Sequence, residues 1–408
     1  MELNDNKLLE MLLVDFSDTK IQSTSKDLWK SLRDMNTEIW LDTGDIDAID
    51  QLWSSDMSAL TTNNTLLNNE IQKGIYDTTV TILNNKLPVD LDIDRRIIEI
   101  AFYLNALHGM RLSRRYGCKV SVELHTDFAD DVDEIVNYGK RFFKIAPENF
   151  IIKVPYTASG LLGARKLHDL NIPVNFTLMF SARQNVLAAL IAQSAYSNVF
   201  LGRIQAYNDT HQLNGPKDLS EQVIYSTEFE LRKLRQDNLS RTHLIAASMR
   251  QDSQIATLSG TDVYTIPPAV ATKGLETLKI PLDSHMPENF IFSPSNDLKH
   301  STSVLNKVWQ LPEKLLNLTI SISKNIPQDP EQLVNIYNNE GYPDLFPLLS
   351  DKELKQISTD GKIPVHSKWK DHIAEGSLAI DTLLTLGGLA SFKNDQAELD
   401  NRIKRLIT

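Results

Sequence analysis

The sequence predicts an α/β chain folded as a (β/α)8 barrel, on three observations. Eight short β-like runs follow one another, each closing on a polar residue or a turn signal. Segments of helical period or polar turn chemistry separate them, and strand–helix alternation of this kind calls for a parallel sheet. The eight units occupy residues 38–267, close to the barrel's usual ~250 residues. A doubly wound sheet is the rival, but no Gly-x-Gly-x-x-Gly turn follows the first run.

The runs are 38–42, 59–63, 119–123, 150–155, 173–180, 199–204, 242–248 and 262–266. The long gap 65–117 divides near 86–88 into two helical stretches, so the loop between strands 2 and 3 carries an extra helix. Val186, Leu187, Leu190 and Ile191 share one face of a helix between the fifth and sixth strands. Around the barrel, taken as 38–280, the reading places an N-terminal helical lead-in (1–37), an irregular insertion (281–349) and C-terminal helices that pack on the barrel (350–408). Residues 281–330 are rich in Asn, Ser, Asp and Pro, which argues for an irregular course with short helices. Phe392, Leu399, Ile403 and Leu406 lie on one face of a last amphipathic helix.

Composition narrows the function classes. With 41% hydrophobic and 23% charged residues, the chain reads as a globular protein. A net charge of −11 argues against a nucleic-acid surface, while leaving room for a local basic pocket. One cysteine, Cys118, excludes an internal disulfide and reads as a half-buried small hydrophobe. The first fifteen residues lack a basic n-region and a small-residue cleavage site, so no secretory signal is expected. The longest apolar run, 186–192, is far below the ~20 residues that cross a bilayer. A cytoplasmic protein with no membrane partner is the expectation, with a homodimer as the prior for its assembly.

In a parallel barrel, functional side chains sit at the C-terminal ends of the strands. Those positions hold Asp42, Thr61, Asn63, Glu123, Lys153, Asn175, Thr177, Arg203, Ser248 and Arg250. Singly, most have an ordinary explanation: an aspartate at a strand end often caps the next helix, and a rim arginine pairs with a surface acid. Lys153 is different. It interrupts Phe-Ile-Ile-Lys-Val-Pro, a run otherwise apolar on both faces. Burying an ammonium there is costly, so the group loses its proton more readily, and a neutral amine attacks carbonyl carbon. The ordinary alternative is a lysine that snorkels to the rim. Schiff-base chemistry also needs a proton carrier, which Glu123 and Asp42 can supply, directly or through a water held by Thr177. No His-x-x-x-His or other ligand spacing appears, so neither metal nor cofactor is expected, and His125 reads as a rim histidine.

As an ordered set these motifs resemble the class I transaldolase family. The resemblance rests on Asp42-Thr43-Gly44-Asp45-Ile46, Leu60-Thr61-Thr62-Asn63, Ile-Ile-Lys-Val-Pro, Asn-Phe-Thr-Leu-Met-Phe-Ser, Phe-Leu-Gly-Arg-Ile and Ala-Ser-Met-Arg, and runs from about Trp40 to Pro268. It implies that Lys153 forms the Schiff base, that Glu123 is the acid/base working with a water held by Thr177, and that Asp42 handles the sugar hydroxyl. It further implies that Thr61, Asn63, Asn175 and Asn198 line the sugar pocket and that Arg203, Ser248 and Arg250 hold a terminal phosphate. The implied reaction moves a dihydroxyacetone unit from a ketose phosphate to an aldose phosphate in the pentose phosphate pathway, without a cofactor. Phe200 fits transferases, whereas related aldolases that release free dihydroxyacetone tend to carry Tyr there. Such an aldolase, or a sugar-phosphate-binding barrel without catalysis, is the alternative. Asn198-Val199 stands where the family usually has Ser-Pro, Asn64 where it has Pro, and the excursion 281–349 is longer than the family needs.

Overall fold

The computed structural model describes residues 4–16 and 19–408; positions 1–3 and 17–18, part of the expected lead-in, lie outside the described residues. Eight parallel strands close a barrel in chain order: β1 (Glu38–Asp42), β2 (Ala59–Thr61), β3 (Lys119–Glu123), β4 (Phe150–Pro155), β5 (Val174–Thr177), β6 (Tyr196–Phe200), β7 (His243–Ala247) and β8 (Val263–Ile266). Closure is the pairing of β1 with β8, with Ile39 opposite Tyr264. Alternate residues of a strand face opposite ways, so one side packs on the helices and the other fills the barrel. The lower interior is an apolar plug of Trp40, Ala59, Ile151, Ile245, Ala247 and Val263, on which Tyr196 and Phe200 rest. The Trp40 and Tyr196 rings meet edge to face, 4.8 Å between centroids.

The strands differ from the sequence reading mainly at β6. The run 199–204 is displaced: the strand is Tyr196–Phe200, and a helix begins at Leu201. Arg203 therefore does not end a strand but sits in the first turn of the helix Leu201–His211. Leu201 and Ile204, buried three residues apart, belong to helical period. The true strand is hard to see because both its faces are buried, with polar Ser197 and Asn198 among them. The fifth run is shorter than 173–180 because Leu178 has φ 64°, which ends the strand. The loop after β2 holds three helices, Asn64–Gln72, Asp77–Lys86 and Ile93–Tyr116, as Gly74 (φ 82°) divides the first stretch.

The helix Ala182–Leu187 and the π-turn Ala188–Ala192 that continues it are buried on every side rather than on one face. Stretch 281–349 accounts for this: its helices Asn306–Trp309 and Glu313–Lys324 pack on that segment from outside. The last helix, Ile380–Ile407, crosses beside the barrel mouth against Asn64–Gln72, Ile93–Tyr116 and Leu201–His211. It buries Phe392, Leu399 and Ile403, with Leu406 half-buried. Both ends of it are pinned. Near its start, Asp381 receives two 2.7 Å bonds from Arg183, whose remaining nitrogen lies 2.6 Å from Asp344. Near its end, Arg402 grips Asp77 at 2.7 and 2.8 Å. Among the described residues, no helix is long and apolar enough to cross a membrane.

Candidate active site

The period of two that builds the apolar plug also builds the site above it. One step up from Trp40, Ala59 and Ile151 on the same inward face stand Asp42, Thr61 and Lys153. By the same parity β3 presents Glu123, β5 Asn175 and Thr177, and β6 Asn198 and Phe200. Adjacent strands set the neighbours: Glu123 is registered with Lys153, and Lys153 with Asn175. Six of the ten residues read at strand ends, Asp42, Thr61, Glu123, Lys153, Asn175 and Thr177, thus converge on one polar layer.

Lys153 is 4% exposed, and its Nζ donates to the main-chain oxygen of Thr62 at 2.6 Å. Burial lowers its pKa below the ordinary lysine value, opposed by the charges of Glu123 and Asp42. Glu123 is 3% exposed. Burial pushes its carboxyl up to about 7, with Lys153 and the Asn64 N–H pulling the other way. Asp42 is likewise raised by burial, against Lys153 and Arg250. A lysine drawn down and two carboxyls drawn up in one chamber narrow the gap between amine and acid, which favours proton exchange among them.

Several polar atoms here lack a hydrogen-bond partner among the described residues: Thr177 Oγ1, Asn175 Oδ1, Asn198 Oδ1 and Arg203 Nη1, all buried. Buried polar atoms are normally satisfied, so these atoms are open to a polar molecule or to water. Asn175 is oriented by its Nδ2, which donates to Ser121 Oγ at 3.0 Å. Asn63 caps the helix Asn64–Gln72, its Oδ1 accepting from the Leu66 N–H at 2.8 Å.

A cationic corner lies where the helix Leu201–His211 begins. Phe200, its N-cap, supplies no side-chain cap, so the positive end of the helix faces the mouth. Arg203 and Arg250 are neighbours, and neither is in an ion pair among the described residues, contrary to the ordinary expectation for rim arginines. Arg203 is half-buried and Arg250 exposed. Burial first, then the charge of Arg250, brings Arg203 down to about 10. A Cβ on Gly202 would meet the Ser248 carbonyl at 2.3 Å and Arg250 Cγ at 2.9 Å, so glycine is required for this approach. Ser248 itself has φ 66°. The Arg203 guanidinium lies over the rings of Phe200 and Phe392, at 5.5 and 5.8 Å.

Sequence reasoning missed the contribution of the last helix. A Cβ on Gly388 would come within 2.7 Å of Arg203 Nη1 and 2.8 Å of Leu178, and Asp395 bonds to the Thr65 hydroxyl. The Gly387-Gly388 pair inside a helix was the available signal, since interior glycines cost helix stability and are kept for close approach. It also missed Thr62, Asn64 and Ser121, of which two act through main-chain atoms. Among the described residues no group of three metal-ligating side chains occurs. His125 points its Nε2 at Asp400, 3.3 Å away. Cys118 is buried, which pushes its thiol up to about 12 and away from nucleophilic use.

The profile of the transaldolase/fructose-6-phosphate aldolase family matches residues 39–308. A transaldolase of Xanthomonas oryzae is 30% identical over 256 residues, covering 59% of this chain and 76% of the relative. A probable transaldolase of Hyphomonas neptunium is 34% identical over 160 residues, 36% of this chain and 67% of the relative. One from Bacillus cereus is 36% identical over 163 residues, 40% of this chain and 67% of its own length.

Proposed function

The chain belongs to the transaldolase/fructose-6-phosphate aldolase family, and from that premise we propose that it is a class I transaldolase working through a Schiff base on Lys153. It moves a dihydroxyacetone unit from sedoheptulose 7-phosphate or fructose 6-phosphate to an aldose phosphate, as in the pentose phosphate pathway. The observation that carries this reading is the buried Lys153 amine, its pKa lowered, registered beside Glu123 inside the barrel.

Neutral Lys153 adds to the ketose carbonyl carbon, forming a carbon–nitrogen bond while the oxygen takes a proton. Glu123, titrating near 7, protonates the departing hydroxyl through a water steadied by Thr177, leaving the iminium. Asp42 then takes the proton of the sugar hydroxyl next to the breaking carbon–carbon bond. That bond's electron pair passes into the iminium, giving an enamine, and an aldose phosphate leaves. The acceptor aldehyde enters and the steps reverse. Water finally frees the new ketose and restores the amine. Thr61, Asn63, Asn175 and Asn198 line the sugar, while Arg203, Ser248 and Arg250 hold its phosphate. Phe200, apolar, neither donates a proton nor holds a hydrolytic water.

The test supplies fructose 6-phosphate with and without erythrose 4-phosphate and follows glyceraldehyde 3-phosphate. Product that depends on the acceptor supports transfer; product without it makes the chain an aldolase that releases dihydroxyacetone; no product leaves a binding barrel. Borohydride added with the ketose should trap Lys153 alone, and a Lys153→Ala variant that still labels and turns over would overturn the mechanism.

A further inference from the structure

The carboxylate of Glu123 makes one directional contact among the described residues: its Oε2 accepts the main-chain N–H of Asn64 at 3.1 Å. The other groups that face it act through charge or proximity. These are Lys153 from β4, Asp42 from β1 and Arg203 from the helix Leu201–His211. His125 shares with it a small cavity that Asn105 and Gln396 also line. Asn64 is the first residue of the helix Asn64–Gln72, so its N–H is one of those the helix itself leaves unbonded. Two residues earlier, the Thr62 oxygen accepts from Lys153 Nζ. The turn 62–64 therefore grips the amine with a carbonyl and the carboxylate with an N–H.

We infer that the Asn64 main-chain N–H is the positioning group for Glu123, fixing where the carboxylate sits and stabilising its ionised form. What matters at position 64 is thus the presence of an N–H and not the asparagine side chain. The inference rests on the acid/base role given to Glu123 above. Hydrogen bonds to the charged form of a carboxyl favour that form, and a helix start adds its own positive potential. In this position proline is the informative exchange. Asn63 has φ −153° and ψ 173°, the extended conformation that a following proline requires. The first helical turn accommodates proline because the missing N–H breaks no helical bond. Asn64→Pro therefore removes the donor to Glu123 while leaving the local fold in place. Asn64→Ala keeps the donor and removes the carboxamide, with its 3.4 Å bond to the Leu124 oxygen.

The experiment titrates the Glu123 carboxyl stretch by infrared difference spectroscopy in the full-length protein without substrate, using Glu123→Gln to identify the band. In the unaltered protein the midpoint is expected at about 7. Deleting a donor to the anion destabilises the ionised form, so Asn64→Pro should raise the midpoint by about one to two pH units. Asn64→Ala should move it by no more than a few tenths. The limb of kcat/KM that reports Glu123 should follow. Equal shifts in the two variants, or none in Asn64→Pro, would overturn the inference. A second measurement does not depend on Asn64→Pro folding: the Asn64 amide proton resonance of the unaltered protein should titrate with the Glu123 midpoint and lose that response in Glu123→Gln. An Asn64 resonance indifferent to this titration would overturn the inference equally. Neither the infrared titration nor the amide resonance needs turnover, so a failure there is distinct from a failure of borohydride trapping at Lys153.

Discussion

Replacing Arg203 and Arg250 by alanine, one at a time, separates a phosphate site from a structural pair of arginines, because the two residues differ in burial. Arg203 is half-buried, with a buried nitrogen that has no hydrogen-bond partner among the described residues, and its pKa is held down to about 10. A charged hydrogen bond formed there contributes ~1.5–3 kcal/mol, which is about 10- to 150-fold in kcat/KM. Arg250 is exposed, so solvent screens it and its loss should cost about fivefold or less, shrinking further in salt. The assay measures kcat/KM for fructose 6-phosphate and for fructose with each variant at low and high ionic strength. The phosphorylated ketose should suffer the full loss, Arg203→Ala more than Arg250→Ala, while fructose hardly changes. Protein stability gives a second readout of the same argument. An unpaired guanidinium taken out of water costs free energy, so Arg203→Ala should melt no lower than the parent. Equal losses for fructose and its 6-phosphate, or a marked drop in melting temperature with Arg203→Ala, would mean that the arginine holds the fold and not a phosphate.

Three further outcomes follow from the same geometry. Glu123→Gln keeps size and most hydrogen bonding, so turnover should fall ~10²- to 10⁴-fold with little change in KM; a loss confined to KM would make Glu123 a pocket wall. Phe200→Tyr should increase acceptor-independent release of dihydroxyacetone, measured as the ratio of release to transfer, and an unchanged ratio would remove Phe200 from control of reaction type. Arg183→Met would strand Asp381, whose side chain is 0% exposed, while Asp344 keeps its 2.9 Å bond from Lys307. Breaking a buried ion pair in this way costs ~3–5 kcal/mol, read by urea unfolding, and a loss below about 1 kcal/mol would show that the last helix is not held there.

The amino-acid sequence alone determined the barrel and most of the inner polar layer, because both follow from short-range rules. Alternate residues share a strand face, so an apolar residue below a polar one recurs at period two in β1, β2 and β4 (Trp40 and Asp42, Ala59 and Thr61, Ile151 and Lys153), and a lysine inside an apolar run is conspicuous. It failed where burial is two-sided. Ser197 and Asn198 hid the start of β6, and Arg203 was assigned to a strand end when its helix had already begun. Tertiary structure decided what lies over the mouth. Arg203 is framed by Phe392 and Gly388, about half the chain away, and hydrophobic period states that a helix has a buried face without saying what that face covers. It also decided how the two central groups are held. Lys153 and Glu123 are gripped by the oxygen of Thr62 and the N–H of Asn64, and main-chain atoms are the same in nearly every residue, so no side-chain pattern could have announced them.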